Sequence, residues 1–348
     1  MDTTKGRLHY IDVFRGLCML LVVLGHAIFD IDNPVNNFFQ SFRMPIFYFI
    51  SGLFFRSIGE RGTSWHDIFV RKGKGLLYPY LTLSVCGTLL YWFVERPLGW
   101  DLNVTVQQSL LGLLWDDAGV YGIPVTQGFW FVYDLLWISF VYPLLRCFDK
   151  RGWLTMLGSL LIAVMCYYSP YTWYLQSIMI RISCGMFFFA LGNMFYRHLL
   201  DCTTAAMSHH TVLTAVSVCV GICVLGILSR LNGTVVMQIS LYGNFFLFLI
   251  AAIIGISVVF AISYAIQDNR LLEYVGETSL LILFYHFFVL HALHVIAHYF
   301  VPTMDNFAFP IYLIHFVLAV IVSVILAWLT NRYIPFIWKW PFIKEKRK

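Results

Sequence analysis

Residues 7–31 read RLHYIDVFRGLCMLLVVLGHAIFDI, a stretch that is long and apolar enough to cross a lipid bilayer. It nevertheless carries three ionisable side chains, Asp12, Arg15 and His26. Such groups are costly inside a membrane span and therefore point to function. Arg15 and His26 are eleven residues apart, which places them on one helical face, about 16 Å apart along the axis. The stretch predicts a helix with a cation near one membrane surface and an imidazole near the other.

The composition of the whole chain is typical of a membrane protein. Hydrophobic residues make up 60% of the 348 residues and charged residues 12%, whereas a soluble domain is typically about 25% charged. We therefore predict an all-α polytopic integral membrane protein with about ten transmembrane helices in a single domain, residues 1–348. The apolar runs lie at about 9–29, 37–55, 75–94, 128–147, 153–169, 175–196, 211–229, 241–265, 277–299 and 309–331.

The distribution of positive charge predicts the orientation of the chain. If the N-terminus is cytoplasmic, 18 of the 23 Lys and Arg residues fall in inner segments, as the excess of basic residues in cytoplasmic loops requires. The other five are Arg96 and Arg230 in outer segments and Arg15, Arg43 and Arg181 within spans. We expect a plasma (inner) membrane protein with both termini in the cytoplasm. Arg15 then lies on the cytoplasmic side and His26 toward the outside.

Two further sites of positive charge are candidates for a functional role. Arg43 lies in the outer half of the second span, FFQSFRMPIFYFISGLFFR (38–56), which Pro45 and Gly52 interrupt. Broken helices persist in membranes only where protein or a cavity satisfies the backbone, although a simple kink with a snorkelling arginine is the alternative. The basic segment with Arg71, Lys72 and Lys74 suits phosphate groups, anionic lipid or membrane topology alone.

The ninth span, ETSLLILFYHFFVLHALHVIAHYF (277–300), begins with Glu277 and carries His286 at its middle. His291, His294 and His298 recur at three and four residues and share one helical face, a spacing that could ligate a metal or haem. No carboxylate or thiolate pattern accompanies them, so we predict no metal site. The longest outer loop, about 95–127, carries carboxylates and aromatic rings that suit a sugar or an ordinary solvated loop equally well.

The sequence resembles the membrane-bound acyltransferase-3 family, especially its branch of fucose O-acetylase-like and polysaccharide-modifying proteins. Arg15 followed by ten residues and His26 is similar to the Arg-X10-His motif of that family. Arg43 stands where this branch often has His, and Glu277 where the family more often has an uncharged residue. The matching stretches are YIDVFRGLCMLLVVLGH (10–26), FFQSFRMPIFYFISGLFF (38–55), RKGKGLLYPYL (71–81), GFWFVYDLLW (128–137) and ETSLLILFYHFF (277–288).

The resemblance implies an O-acyltransferase, by family habit an O-acetyltransferase. It would move an acyl group from cytoplasmic acyl-CoA to a hydroxyl of an extracytoplasmic or lipid-linked carbohydrate, such as a surface polysaccharide. Acetyl-CoA would be a co-substrate, no cofactor would be bound permanently, and the partners would be the bilayer and the acceptor but no nucleic acid.

The resemblance also implies roles for individual residues. His26 would be the general base, or would carry a transient acetyl group, and Arg15 and Asp12 would complete the catalytic set. Asp12 would orient Arg15. Arg15 would hold CoA phosphates at the inner face together with the acyl-CoA-binding residues Arg71, Lys72 and Lys74. The acceptor side would carry Arg43, His286 and Glu277, and Arg43 would stabilise the oxyanion or orient the acceptor.

Two other classes of function compete with this interpretation. A transporter or exporter of an acylated glycan or a small carboxylate would also use broken helices and buried cations, although the sequence has no obvious two-half symmetry. A haem-bearing redox protein would use the histidines of the ninth span.

Overall fold

The computed structural model describes residues 8–28, 33–53, 55, 63–97, 104–114, 127–171, 173, 175–198, 200–300 and 308–341. Within these ranges the regular structure is helical, and each of the ten predicted apolar runs coincides with helix. The helices are α1 His9–Ala27, α2 Pro34–Gln40, α3 Arg43–Leu53, α4 Trp65–Lys72, α5 Tyr78–Leu90, α6 Val106–Leu114, α7 Trp130–Phe148, α8 Trp153–Tyr167, α9 Gln176–His198, α10 Leu200–His209, α11 Thr211–Asn232, α12 Phe245–Ile266, α13 Arg270–Glu277, α14 Ser279–Phe300 and α15 Ala308–Tyr333.

The prediction of an all-α polytopic membrane protein is confirmed. In the described part of the chain, eight helices are long and apolar enough to cross a membrane. The predicted second span is instead two short helices, α2 and α3, and the predicted fifth span is the shorter apolar helix α8. The eight are His9–Ala27, Trp65–Glu95, Trp130–Phe148, Gln176–Arg197, Thr211–Asn232, Phe245–Ile266, Ser279–Ala297 and Pro310–Tyr333.

Helix α1 lies inside the bundle and contacts α3, α12, α13, α14 and α15. Phe14 is fully buried and meets Phe260 of α12 edge-on, with 5.7 Å between ring centroids. The short helix α13 lies directly against the backbone of α1, because glycines leave no side chain between them. A Cβ added at Gly16 would lie 2.1 Å from the Leu272 carbonyl oxygen, and one at Gly276 would lie 2.2 Å from that of Asp12. Helix α13 therefore packs on the half of α1 that carries Arg15.

Helices α3 and α9 make a second close approach of two backbones. A Cβ added at Gly52 would lie 1.9 Å from the Phe189 carbonyl oxygen, and one at Gly192 would lie 2.0 Å from that of Phe49. Small residues of this kind let membrane helices pack at short range. The Asn193 amide then donates to the carbonyl oxygens of Gly52 and Phe55, at 3.0 and 2.9 Å. These bonds satisfy the carbonyl end of α3 and fix its position against α9.

A hairpin, residues 233–244, joins α11 to α12. Val236 and Leu241 form an isolated antiparallel bridge, with N–H···O distances of 2.7 and 3.0 Å. Gly233 and Gly243 adopt positive φ angles of 73° and 62°, which glycine tolerates at no steric cost. The Asn232 amide donates to the Tyr242 carbonyl oxygen at 2.9 Å and so ties the two ends together. The sequence did not predict this hairpin, whose second half lies in the predicted eighth span.

Candidate active site

A cavity of about 340 Å³ lies at the His26 end of α1. Its walls come from the end of α1, from α2 and α3, from the start of α7, from the hairpin and from α14. Its volume lies within the usual range for small-molecule sites, about 300–1,000 Å³. Trp130 and Phe287 contribute aromatic surface, and the polar side of the lining consists of His26, Asn36, Gln40, Arg43, Gln238 and His291.

The His26 ring lies among other rings at the base of this cavity. Its centroid is 5.2 Å from that of His286 and 4.5 Å from that of Phe287. His286 is fully buried, and its Nδ1 lies 3.0 Å from the Ile282 carbonyl oxygen. A carbonyl only accepts, so Nδ1 carries the proton and Nε2 keeps a lone pair. No hydrogen-bond partner for this Nε2 exists in the described part of the chain. His26 therefore has an unoccupied imidazole acceptor beside it.

The guanidinium of Arg43 reaches the cavity through space that a glycine leaves open. Arg43 is the first residue of α3 and is 7% exposed, and its Nη1 donates to the Asn36 side-chain oxygen at 3.2 Å. A Cβ added at Gly25 would lie 1.3 Å from Arg43 Nη1. The guanidinium consequently lies against the backbone of α1 at the residue before His26. This brings the predicted base and the predicted outer cation into one cavity.

His291, which lines the cavity, pairs with a carboxylate that lies outside the cavity lining. His291 Nδ1 lies 3.3 Å from Glu95 Oε1, and both side chains are largely buried. Glu95 ends the π-helical turn Tyr91–Glu95, so it is not part of an open solvated loop. The described residues hold no group of three or more His, Cys, Asp or Glu side chains placed to bind a metal. His291 thus meets a carboxylate from a distant segment, which its own helical spacing did not indicate.

A buried ion pair between α7 and α9 supports the same cavity. Arg181 Nε and Nη2 lie 3.2 and 3.3 Å from the two carboxylate oxygens of Asp134, and both side chains are fully buried. The Tyr48 hydroxyl donates to Asp134 at 3.2 Å. Arg181 also donates to the Gln238 carbonyl oxygen at 2.9 Å, and its guanidinium lies over the Trp130 ring at 5.5 Å. The pair therefore holds two parts of the cavity wall in place. The sequence analysis assigned it no role, although a carboxylate at Asp134 within a span was a usable signal.

Arg15 and Asp12 occupy the other end of α1 and are not among the cavity-lining residues. Glu277 lies with them, because its neighbour Gly276 contacts the Asp12 carbonyl. The structure therefore places Glu277 at the Arg15 end of α1, whereas Arg43 lies at the His26 end. Glu277 is an exposed residue at the end of α13, nine positions before His286 in the sequence.

The basic residues of α4 and the turn after it also lie away from the cavity. Lys72 Nζ lies 5.6 Å from the centre of the Phe55 ring, which follows the end of α3 opposite to Arg43. Eleven helical residues, about 16 Å, separate the two ends of α3. Lys74 Nζ lies 6.0 Å from the Trp340 ring, and Arg71 is exposed. Of the predicted site residues, His26 and Arg43 thus line the cavity, and Arg71, Lys72 and Lys74 do not.

Comparison with known proteins agrees with the resemblance seen in the sequence. The model of a family described as an acyltransferase domain, acyltransferase-3, matches residues 8–332 and so covers nearly the whole chain. No match is found among curated proteins or among solved structures. The matched region includes α1 with both Arg15 and His26, and every element of the cavity wall. The chain belongs to the acyltransferase-3 family and is a membrane acyltransferase.

Proposed function

We propose that this protein transfers an acyl group, specifically acetyl, from cytoplasmic acyl-CoA to a hydroxyl of an extracytoplasmic or lipid-linked carbohydrate. The observation that carries the proposal is the presence of the His26 imidazole and the Arg43 guanidinium on the wall of one cavity. Acyl transfer to a hydroxyl needs a base for the hydroxyl proton and a donor for the oxyanion that forms. The cavity offers both, with aromatic surface and polar side chains that suit a sugar ring.

In the proposed reaction, His26 takes the proton of the acceptor hydroxyl while the hydroxyl oxygen attacks the thioester carbonyl carbon. The tetrahedral intermediate places its negative oxygen at the Arg43 guanidinium. When the intermediate collapses, the carbon–sulfur bond breaks and the CoA thiolate takes the proton from His26. The products are the carbohydrate ester and free CoA. A two-step route through acetyl-His26 uses the same residues.

His286 acts on His26 in this scheme rather than on the acceptor. Its Nε2 lone pair is unpartnered in the described structure, and 5.2 Å between ring centroids leaves room for one nitrogen-to-nitrogen hydrogen bond. By accepting the N–H of His26, it would direct the basic nitrogen of His26 toward the cavity, as the third group of a catalytic triad does. This is a positioning role, since His286 does not line the cavity.

The donor side of the proposal rests on the distant cations. Arg15, with Arg71, Lys72 and Lys74, would hold the phosphates of acyl-CoA, and Asp12 would orient Arg15. The pantetheine arm would then extend over the roughly 16 Å of α1 between Arg15 and His26. The enzyme would need no permanently bound cofactor and would work in the plasma membrane on a surface polysaccharide or a lipid-linked sugar.

The test is transfer of label from radioactive acetyl-CoA to an acceptor glycan by purified protein in lipid nanodiscs. We expect His26→Ala to lower the transfer rate by at least about a hundredfold, the scale of general-base catalysis. His209→Ala, which changes an exposed histidine at the end of α10, is the matched control. Activity of His26→Ala equal to that of the control would exclude the mechanism. In closed proteoliposomes, glycan movement into the vesicle without labelled product would favour transport.

A further inference from the structure

The side chain of Gln40 places a buried polar atom at the cavity, and the proposed mechanism does not use this atom. It is the last residue of α2, is 8% exposed and lines the cavity. Its side-chain oxygen, Oε1, has no hydrogen-bond partner in the part of the chain that the structure describes. Leaving a buried acceptor unsatisfied costs about 1–3 kcal/mol, so native proteins rarely keep one without a reason. A ligand that supplies a hydrogen-bond donor is such a reason.

The surrounding structure holds Gln40 in position without satisfying it. Asn33 caps α2 by accepting from the Val35 amide at 2.9 Å, and the Ser41 hydroxyl donates to the Asn37 carbonyl oxygen at 2.9 Å. Both ends of this short helix are therefore fixed. The nearby Arg43 guanidinium donates to Asn36, one turn before Gln40. Asn36, Gln40 and Arg43 all line the cavity, so Gln40 shares one cavity with the proposed oxyanion donor.

We propose that Gln40 binds a hydroxyl of the carbohydrate acceptor next to the hydroxyl that is acylated, and thereby selects the acceptor. This inference rests on the proposed function. A carboxamide offers an acceptor oxygen and two N–H donors in one plane, so it can accept from one hydroxyl and donate to its neighbour. Two adjacent hydroxyls of a neutral sugar ring have this arrangement. An amide does not titrate, so Gln40 contributes recognition rather than proton transfer.

The choice of substitution separates recognition from folding. Gln40→Leu keeps a similar volume and removes the unsatisfied oxygen, so the variant should unfold at a temperature equal to or above that of the native protein. Its kcat/KM for the acceptor should nevertheless fall at least tenfold. A residue with a purely structural role would lose stability and activity together. Gln107→Leu, at an exposed position of α6, is the matched control and should change neither quantity.

The experiment compares the native protein and Gln40→Leu on one acceptor sugar and on its set of monodeoxy analogues, with labelled acetyl-CoA. We expect one missing hydroxyl to lower kcat/KM of the native protein at least tenfold but that of Gln40→Leu less than twofold, because its partner is already gone. If the native protein transfers acetyl and every analogue affects both proteins equally, the role of Gln40 is overturned and the proposed function stands. If the native protein transfers nothing to any acceptor, both proposals are overturned.

Discussion

The two neighbouring residues Gly25 and His26 have different roles at the end of α1. His26 presents an imidazole to the cavity, while Gly25 presents no side chain and so admits the Arg43 guanidinium against the helix backbone. A base and an oxyanion donor must both approach the same reacting carbonyl, which requires their supports to be close. A glycine directly before the histidine provides that closeness. The position of Arg43, and not only its charge, should therefore matter for transfer.

Gly25→Ala tests this directly. The added methyl group would overlap Arg43 Nη1, so the guanidinium must move, and it can do so because it is the end of a flexible side chain. We expect the fold to be retained and kcat to fall about a hundredfold, the effect of losing one oxyanion donor. Gly158→Ala in α8, where a new Cβ meets nothing within 4 Å, is the control. Equal transfer rates for the two variants would show that the placement of Arg43 is unimportant.

Individual site residues could be found in the sequence when their chemistry was out of place in a membrane span. This applied to His26 and Arg43, which line the cavity, and to His286, whose ring lies next to that of His26. This criterion failed for Gln40, because an amide side chain is not unusual in a sequence until its burial and its missing hydrogen-bond partner are known. It also failed for the pairing of Glu95 with His291, because the two are 196 positions apart in the sequence and only the packing of their helices joins them. Side-chain partners depend on tertiary contacts that periodicity does not contain.

At the scale of helices, α7 and α9 are joined by a charge pair that no water reaches. Asp134 and Arg181 are both fully buried, and Tyr48 adds a third hydrogen-bonding group from α3. Such a pair is costly to desolvate, and removing one partner leaves the other charge buried alone. Its retention fits a role in holding Trp130 and the Gln238 carbonyl at the cavity wall, since Arg181 contacts both.

A double-mutant cycle on the two helices measures this coupling. Asp134→Leu and Arg181→Met should each lower the free energy of unfolding in detergent by about 3–5 kcal/mol, because each substitution leaves one buried charge without its partner. The double variant should be less destabilised than either single variant, since no unpaired charge remains. Losses that simply add would mean that the two side chains are not coupled. Acyl transfer by a folded double variant then reports whether the cavity wall depends on the pair.

The helices themselves were largely predictable, because apolar length and charge spacing are local properties. The exceptions occur at residues such as proline and glycine, which break a helix in some positions and are accommodated within it in others. Pro45 was expected to break the second span, but it lies in the first turn of α3, where the missing N–H costs no hydrogen bond. Gly52 was also expected to break the helix, yet it lies within α3 and allows the close approach of α9. The hairpin 233–244 was missed because its apolar residues show no helical or strand period, and a single isolated bridge between Val236 and Leu241 marks it in the described structure.

At the scale of the whole molecule, the cavity lies at one end of α3 and the basic residue Lys72 lies near the other end. His26, Arg43 and His291 line the cavity, while Lys72 lies beyond the far end of α3. The proposed transfer from a cytoplasmic donor to an extracytoplasmic acceptor would need such a separation. The function then depends on which side the cavity faces. The hydroxyl of Tyr167 donates to the Gly243 carbonyl oxygen at 2.8 Å, so the end of α8 lies beside the hairpin that forms part of the cavity wall.

This contact allows the orientation of the cavity to be measured by labelling. Tyr171, 79% exposed after the end of α8, marks the cavity side, and the exposed Ser208 near the end of α10 marks a segment expected in the cytoplasm. In a variant that lacks the eight native cysteines and still transfers acetyl, a membrane-impermeant maleimide should label Tyr171→Cys in intact cells. Ser208→Cys should react only after permeabilisation, because 18 of the 23 basic residues favour that side as cytoplasmic. The reverse pattern would place the cavity in the cytoplasm and contradict acylation of an extracytoplasmic acceptor.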